Sequence, residues 1–227
     1  IRLSFEHPEF FNAQLRAILR AAAFAEAKGG QIRIMFPMIT TLEEIHRVRK
    51  MMRRVQAQLE KEGKEYHEVP IGMMLEVPAA AICIENLLPS IDFVSIGSND
   101  LVQYLMAADR DNPKVSQLCQ PLAPPVLQVL YHVVKACQAA QKPVTLCGEM
   151  AGQPKAFVLL IGMGLRSFSM SPAFVPSMKD LAAHLTVKQA RAVLKHALRL
   201  KTTVRIRNYM LDQLKLIAPN LSLLDTV

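Results

Sequence analysis

The chain has 227 residues, of which 51% are hydrophobic and 20% are charged, so it has enough apolar side chains to bury a core and is not of the disordered class. Its 27 lysine and arginine residues exceed its 19 aspartate and glutamate residues, for a net charge of +8. Because these basic residues are spread over amphipathic helices and aromatic side chains are scarce, we expect no nucleic-acid partner. We also expect a cytoplasmic protein without a membrane segment, since the sequence has no run of about 18 apolar residues and no signal-peptide pattern.

In chain order, helix and strand patterns alternate. Apolar residues at helical spacing predict a first helix over residues 9–28, which ends at Gly29 and Gly30, and Thr40 with Glu43 predicts a capping box at the start of the next helix. Continuous apolar runs predict strands over residues 31–38, 70–77, 92–98, 142–149 and 166–171. The other helices are predicted over residues 42–62, 78–88, 124–141 and 154–164, and residues 175–217 are expected to be all-helical.

This alternation predicts an α/β fold, with a parallel sheet covered by helices. The spacing of the strands suits either an open doubly wound sheet or a (β/α)8 barrel of the TIM type. No G-x-G-x-x-G motif follows a strand, so the dinucleotide-binding version of the open sheet has no support. Polar residues instead follow several strand ends, which favours the barrel, because the carboxyl ends of all its strands meet at one rim. Five predicted strands, where a closed barrel needs eight, indicate a partial barrel made of its last five β/α units, followed by C-terminal helices.

Three polar side chains stand at two of these strand ends. Glu76 closes the second strand, and Asn99 and Asp100 follow the third. Two carboxylates at neighbouring strand ends suit Mg²⁺ held together with a substrate phosphate. The alternative for Asn99 and Asp100 is that they cap a short helix after Gly97. Glu76 is harder to explain without a ligand, because an ionised carboxylate at a buried strand end needs a partner.

Other polar and sulfur-containing residues allow less specific interpretations. Glu149 either supports the site as a further carboxylate or caps the next helix, and the roles of Arg16 and Arg20 stay open. The four cysteines are widely separated and form no metal-binding or disulfide pattern. We expect three of them to be packing residues: Cys83, Cys119 and Cys137.

Several longer motifs resemble a known family. They are LEVPAA (75–80), SIGSNDLVQY (95–104), AADRDN (107–112) and LCGEMAG (146–152), preceded by QLRAILRAA and RIMFPMI. They resemble the C-terminal barrel domain of phosphoenolpyruvate-utilising enzymes, and within that group enzyme I, the phosphoenolpyruvate–protein phosphotransferase of the bacterial phosphotransferase system. The reading GSNDL, where sugar-system members usually have GTNDL, leans toward the nitrogen-related paralogue.

The resemblance implies a role for each matching residue. Glu76 and Asp100 match magnesium ligands, and Asn99 with Asp100 matches the pair that contacts phosphoenolpyruvate. Arg110 matches an arginine that binds the phosphoryl group, and Arg2 matches a second arginine near the same site. Cys147 matches the residue that exchanges a proton with the methylene carbon of the substrate, a role that a thiol can fill near neutral pH.

The resemblance also sets the expected domain organisation. Residues 1–227 are expected to be a C-terminal phosphoenolpyruvate-binding barrel domain, truncated at its N-terminus, without the phosphohistidine domain and the first three barrel strands. The whole protein would then transfer the phosphoryl group to a histidine and on to an HPr-like phosphocarrier protein, releasing pyruvate, and would be a homodimer. The chain alone is expected to bind phosphoenolpyruvate poorly and to transfer nothing. Two alternatives stay open: a pyruvate phosphate dikinase or phosphoenolpyruvate synthase, and a non-catalytic dimerisation or regulatory module.

Overall fold

The computed structural model describes residues 1–219, in which five short strands form one parallel sheet. The strand order in the sheet is the order in the chain, and the pairs at both ends of the sheet are parallel. Ile34 pairs with Ile71 in the first pair, and Leu146 pairs with Phe168 in the last. The strands are β1 (Ile34–Phe36), β2 (Ile71–Leu75), β3 (Phe93–Gly97), β4 (Val144–Cys147) and β5 (Phe168–Ser169).

Helices separate the consecutive strands, so the predicted α/β fold of β/α units is confirmed for the described residues. Residues 220–227, which the expected domain also includes, lie outside them. The helices are α1 (Arg2–Glu6), α2 (Pro8–Glu26), α3 (Leu42–Lys61), α4 (Pro78–Ile82), α5 (Ile84–Leu87), α6 (Ser98–Met106), α7 (Pro124–Ala139), α8 (Pro154–Met163), α9 (Val175–Ala183), α10 (Val187–Ala197) and α11 (Thr203–Ile217).

The chain divides into two compact units, Ile1–Ser95 and Ile96–Val227. In the first unit, α2 packs against α3 and β1 pairs with β2, and fully buried side chains such as Leu15, Leu19 and Leu59 fill the core. The predicted capping box is one residue off, because the N-cap of α3 is Thr41 and its partner is Glu44. The predicted helix over residues 78–88 is divided at Cys83 into α4 and α5.

In the second unit, α8 is the central buried helix. Seven of its ten residues are buried, which matches its continuously apolar sequence. The helix α10 packs tightly on α8, and α11 contacts both. The all-helical segment predicted after residue 175 is therefore confirmed, and its helices belong to the core of the second unit.

Among the described residues, none of the helices combines the length and the apolar character that crossing a membrane requires.

Candidate functional site

Four of the predicted site residues lie in the second unit. Asn99 and Asp100 are in the first turn of α6, Arg110 is in the turn that follows α6, and Cys147 is the last residue of β4. The other two, Arg2 and Glu76, lie in the first unit.

Asn99 and Asp100 do not cap α6, so that alternative was wrong. The N-cap of α6 is Gly97, without a side-chain capping bond, and Asn99 and Asp100 are the second and third residues of the helix. The Oδ1 atom of Asn99 instead accepts a hydrogen bond from the backbone N–H of Glu149 at 3.1 Å. Because this bond fixes the amide, the side-chain NH₂ of Asn99 is the group that remains to donate to a ligand.

Gly148 allows this contact between α6 and the turn after β4. Its φ is +103°, which L side chains rarely adopt, and a Cβ there would lie 2.5 Å from Oγ of Ser98 and 2.8 Å from Oδ1 of Asn99. A side chain at position 148 would therefore displace both neighbours.

Cys147 is held at its side chain and at its carbonyl group. Its Sγ lies 3.4 Å from the backbone oxygen of Ile96, and its backbone oxygen accepts a 2.7 Å hydrogen bond from Oγ of Ser98. The residue as a whole is half-buried.

All four cysteines are free thiols, and their environments differ. Cys137 is buried, as a packing residue should be, and the half-buried Cys119 bonds through its thiol to the carbonyl oxygen of Ala108. Cys83 is exposed where α4 ends, so the packing role expected for it was wrong.

Arg110 and Asp100 form an ion pair. Nη1 of Arg110 lies 3.4 Å from Oδ1 of Asp100, and the two side chains are 40% and 35% exposed. An ion pair this open to solvent contributes about 0.2–1 kcal/mol to the free energy of unfolding. A charged ligand can therefore replace either partner with little loss of stability. The backbone N–H of Arg110 donates a hydrogen bond to Oε1 of Gln103 at 3.1 Å, which fixes the turn that carries Arg110.

A cleft of about 200 Å³ lies in the second unit beside these residues. Its polar lining consists of Ser98, Asn99, Arg110, Ser116, Glu149 and Gln153, whereas Asp100 and Cys147 do not line it. Glu149 contributes to the cleft as an exposed residue, and the N-cap of α8 is Gln153, so the capping role expected for Glu149 was wrong. The cleft thus brings an amide and a guanidinium together with one carboxylate.

In the first unit, Glu76 directly follows β2 and is only 3% exposed. Its Oε1 accepts a 2.7 Å hydrogen bond from the backbone N–H of Met38, which confirms that the buried carboxylate has a partner. Met38 has a φ of +55°, an uncommon conformation for a residue other than glycine. Arg2 is exposed, and its Nη2 donates to Oγ1 of Thr40 at 3.2 Å.

The residues that support the site could not be predicted from the sequence. Ser98, Gln103 and Met38 act through single hydrogen bonds to backbone or side-chain atoms, and no local pattern marks them. Gly148 did carry a signal, because a glycine directly after a strand end often indicates a backbone that only glycine adopts.

The donor types suit Mg²⁺. The described residues contain no group of three or more His, Cys, Asp or Glu side chains arranged for a metal ion. Mg²⁺ needs only one or two protein carboxylates when waters and substrate oxygens complete its shell, so Glu76 in the first unit and Asp100 in the second are each a chemically suitable ligand.

Comparison with known proteins identifies the family. Residues 1–187 match the family model described as PEP-utilising enzyme, PEP-binding domain, where PEP is phosphoenolpyruvate. Phosphoenolpyruvate-protein phosphotransferase from Buchnera aphidicola is 41% identical over 207 residues, and that from Haemophilus influenzae is 40% identical over 207 residues. Each alignment covers 91% of this chain but 35% of the relative, so the chain spans about a third of the length of these curated relatives.

A solved structure supports the fold alone. A citrate lyase from Burkholderia xenovorans superimposes with a TM-score of 0.50 at 18% identity, covering 90% of this chain and 68% of that one. It agrees with a fold of the TIM-barrel type, of which the described residues form five β/α units. With the match of the family model over residues 1–187, the chain belongs to the PEP-binding domain family of PEP-utilising enzymes.

Proposed function

We propose that this chain binds phosphoenolpyruvate and transfers a proton to its enolate product, as part of a phosphoenolpyruvate–protein phosphotransferase. The observation that carries the binding part of the proposal is the cleft in which the oriented amide of Asn99 lies with the guanidinium of Arg110. Cys147 does not line this cleft, and its role is proposed from its place at the end of β4, in a segment that is hydrogen-bonded to the lining residues Ser98 and Asn99. The names of the relatives favour this function over the dikinase and synthase alternatives.

Arg110 and Asn99 are proposed to bind the phosphoryl group. Phosphoryl transfer spreads negative charge over three oxygens, and a guanidinium fork stabilises that charge better than an ammonium group. The amide NH₂ of Asn99 adds a neutral donor. When phosphate binds, Arg110 exchanges its exposed ion pair with Asp100 for the substrate. Arg2, in the first unit, is proposed as a further phosphoenolpyruvate-binding residue.

Asp100, released from Arg110, is then available as a carboxylate ligand for a metal ion, and Glu76 is proposed as a metal ligand of the first unit. When bound, Mg²⁺ would lower the charge on the substrate oxygens and so stabilise the enolate. The Met38 N–H bond orients the carboxylate of Glu76 for this role.

Cys147 is proposed as the proton donor. When the bond between phosphorus and the enol oxygen breaks, the phosphoryl group passes to an acceptor histidine and pyruvate remains as its enolate. The thiol of Cys147 gives its proton to C3 of the enolate, which becomes the methyl group of pyruvate, and the thiolate regains a proton from water. In the whole protein, the histidine would pass the phosphoryl group to an HPr-like phosphocarrier protein, and the protein would act as a homodimer.

Exchange of the methyl protons of pyruvate tests the proton transfer without a phosphoryl acceptor. The chain is incubated with pyruvate and Mg²⁺ in D₂O, and loss of the methyl signal is followed by NMR. We expect exchange above the buffer rate, abolition by EDTA and a roughly hundredfold decrease in Cys147→Ala. Cys83→Ala, which removes an exposed thiol, serves as the control and should exchange normally. Unchanged exchange in Cys147→Ala would refute the assignment.

Binding is tested separately by NMR titration with phosphoenolpyruvate, which also detects millimolar affinity. Arg110→Ala should weaken binding at least tenfold, because hydrogen bonds to charged groups contribute about 1.5–3 kcal/mol. Arg191→Ala removes the same charge from an exposed position on α10 and should have no effect. Equal weakening in both variants would indicate nonspecific attraction of the anion.

A further inference from the structure

Ser98 is a buried hydroxyl residue next to the proposed proton donor. It is the first residue of α6 and is only 2% exposed. Its Oγ donates to the backbone oxygen of Cys147 at 2.7 Å, across 49 positions of the chain. A buried hydroxyl needs a partner, and here that partner is the backbone of the residue that carries the thiol.

The segment from Ile96 to Ser98 holds Cys147 at two points. The carbonyl oxygen of Ile96 lies 3.4 Å from Sγ, while Ser98 binds the carbonyl group of the same residue. The same short segment at the end of β3 therefore restrains both the rotation of the thiol and the position of the Cys147 backbone.

The next two residues are also fixed by this segment. The N–H of Glu149 donates to Asn99, and Gly148 lies so close to Ser98 that a Cβ would be 2.5 Å from Oγ. Hydrogen bonds on both sides of Gly148 leave the turn little room to shift. Loss of the Ser98 bond would release the backbone carbonyl group of Cys147.

We propose that Ser98 is a positioning residue, whose hydroxyl holds the backbone of Cys147 so that the thiol faces C3 of the substrate. This inference rests on the proposed function. A proton donor acts only within hydrogen-bond distance of the receiving atom, and a misplacement of about 1 Å can lower a rate about a hundredfold. Ser98 also lines the cleft, but its hydroxyl proton is donated to the backbone of Cys147, so Ser98 itself transfers no proton to the substrate.

Alkylation of the cysteines by iodoacetamide tests the positional part without any catalytic assay. The rate at each cysteine is read from its peptide by mass spectrometry in the wild type, Ser98→Ala and Ser98→Thr. In Ser98→Ala we expect alkylation of Cys147 to change roughly fivefold, the effect of losing one hydrogen bond, while the exposed Cys83 reacts as before. Ser98→Thr keeps the hydroxyl and should restore the wild-type ratio of the Cys147 alkylation rate to the Cys83 rate. If this ratio is the same in Ser98→Ala as in the wild type, the proposal is overturned.

Pyruvate exchange then separates positioning from general stability. We expect Ser98→Ala to lower kcat for exchange at least tenfold with little change in KM, and Ser98→Thr to recover most of it. A parallel change in both constants, without rescue by threonine, overturns the positioning role. If the wild-type chain shows no exchange, the proposed function fails, and the alkylation ratio alone decides whether Ser98 positions Cys147. Thermal melting checks folding, and Ser98→Val, which has the shape of threonine without its hydroxyl group, replaces Ser98→Ala if the latter does not fold.

Discussion

The Oδ1 atom of Asn99 accepts a hydrogen bond from the backbone N–H of Glu149 at 3.1 Å, so one half of this amide supports the structure, and the other half, the NH₂ group, belongs to a residue that lines the cleft. Asn99→Asp separates the two halves. Aspartate keeps an oxygen for Glu149, but it loses the NH₂ donor and adds a negative charge. We expect stability within about 1 kcal/mol of the wild type, and phosphoenolpyruvate binding weakened at least tenfold, as measured by denaturant unfolding and NMR titration.

Asn99→Ala is the comparison variant, because it removes both halves of the amide. It should lose the same binding and also about 1 kcal/mol or more of stability, since the Glu149 N–H loses its partner. Normal binding by Asn99→Asp would contradict the role of Asn99 as a donor to phosphate.

Gly148→Ala should disrupt the site through backbone strain and direct contact. The φ of +103° disfavours a side chain, and the new Cβ would meet Ser98 and Asn99. We expect a loss of about 2 kcal/mol or more in denaturant unfolding, together with weaker phosphoenolpyruvate binding. Gly29→Ala is the control, because Gly29 has a φ of +73° but nothing within 4 Å of the added Cβ. If both variants lose equal stability and both bind normally, contact with Asn99 has no influence on the site.

Glu76→Gln tests the proposed metal ligand while preserving its hydrogen bond. The glutamine oxygen can still accept from Met38, so folding should be retained, but the negative charge is lost. Calorimetric titration of Mg²⁺ in the presence of pyruvate should show affinity lowered at least tenfold, because hard cations depend on charged oxygen ligands. Glu6→Gln, a change at an exposed residue of α1, should leave the affinity unchanged. Equal affinities in all three proteins would remove Glu76 from the metal site.

The sequence predicted the order of elements because strands and helices repeat with different local periods. It placed the capping box of α3 one residue early, since Thr40 with Glu43 and Thr41 with Glu44 both fit the capping pattern. It also missed the break at Cys83, where no glycine or proline marks the junction between α4 and α5.

The sequence predicted those site residues whose type alone is unusual for their position, such as Glu76, a carboxylate at the end of a buried strand. The supporting contacts of the site were not predictable, because they join distant positions. Asn99 bonds to a residue 50 positions away, and Ser98 to one 49 positions away. A local pattern favours a helix cap for Asn99, and only tertiary packing places its oxygen on Glu149 instead.

An ion pair in the first unit, between Arg16 of α2 and Glu62 directly after α3, leads to a prediction about pH. Nη1 of Arg16 lies 3.0 Å from Oε1 of Glu62, and a second bond joins the other two atoms of the pair. This hydrogen bonding lowers the pKa of Glu62 below its usual value. A carboxylate with a lowered pKa stabilises the fold above its unfolded-state pKa, and this contribution disappears as the pH falls through the folded-state value.

Glu62→Gln should therefore melt at a lower temperature than the wild type near pH 7, and the difference should close as the pH falls below about 4. The difference is expected to be small because the pair is exposed, and salt should reduce it further. Glu65→Gln, an exposed change close by, should show no such dependence. A melting difference that stays constant with pH would contradict the contribution of the ion pair.

Gly162 of α8 lies against α10, and its substitution tests whether the C-terminal helices form part of the core. A Cβ at position 162 would be 2.4 Å from the carbonyl oxygen of Ala190 and 2.9 Å from Cβ of Leu194. Glycine to alanine in an open helix stabilises by about 1 kcal/mol, but here the collision with backbone should reverse the sign and cost about 1–3 kcal/mol. Asn208→Ala, on the exposed face of α11, is the control and should stabilise slightly. Denaturant unfolding distinguishes the outcomes, and a gain of stability in Gly162→Ala would mean that α10 does not press against α8 at this position.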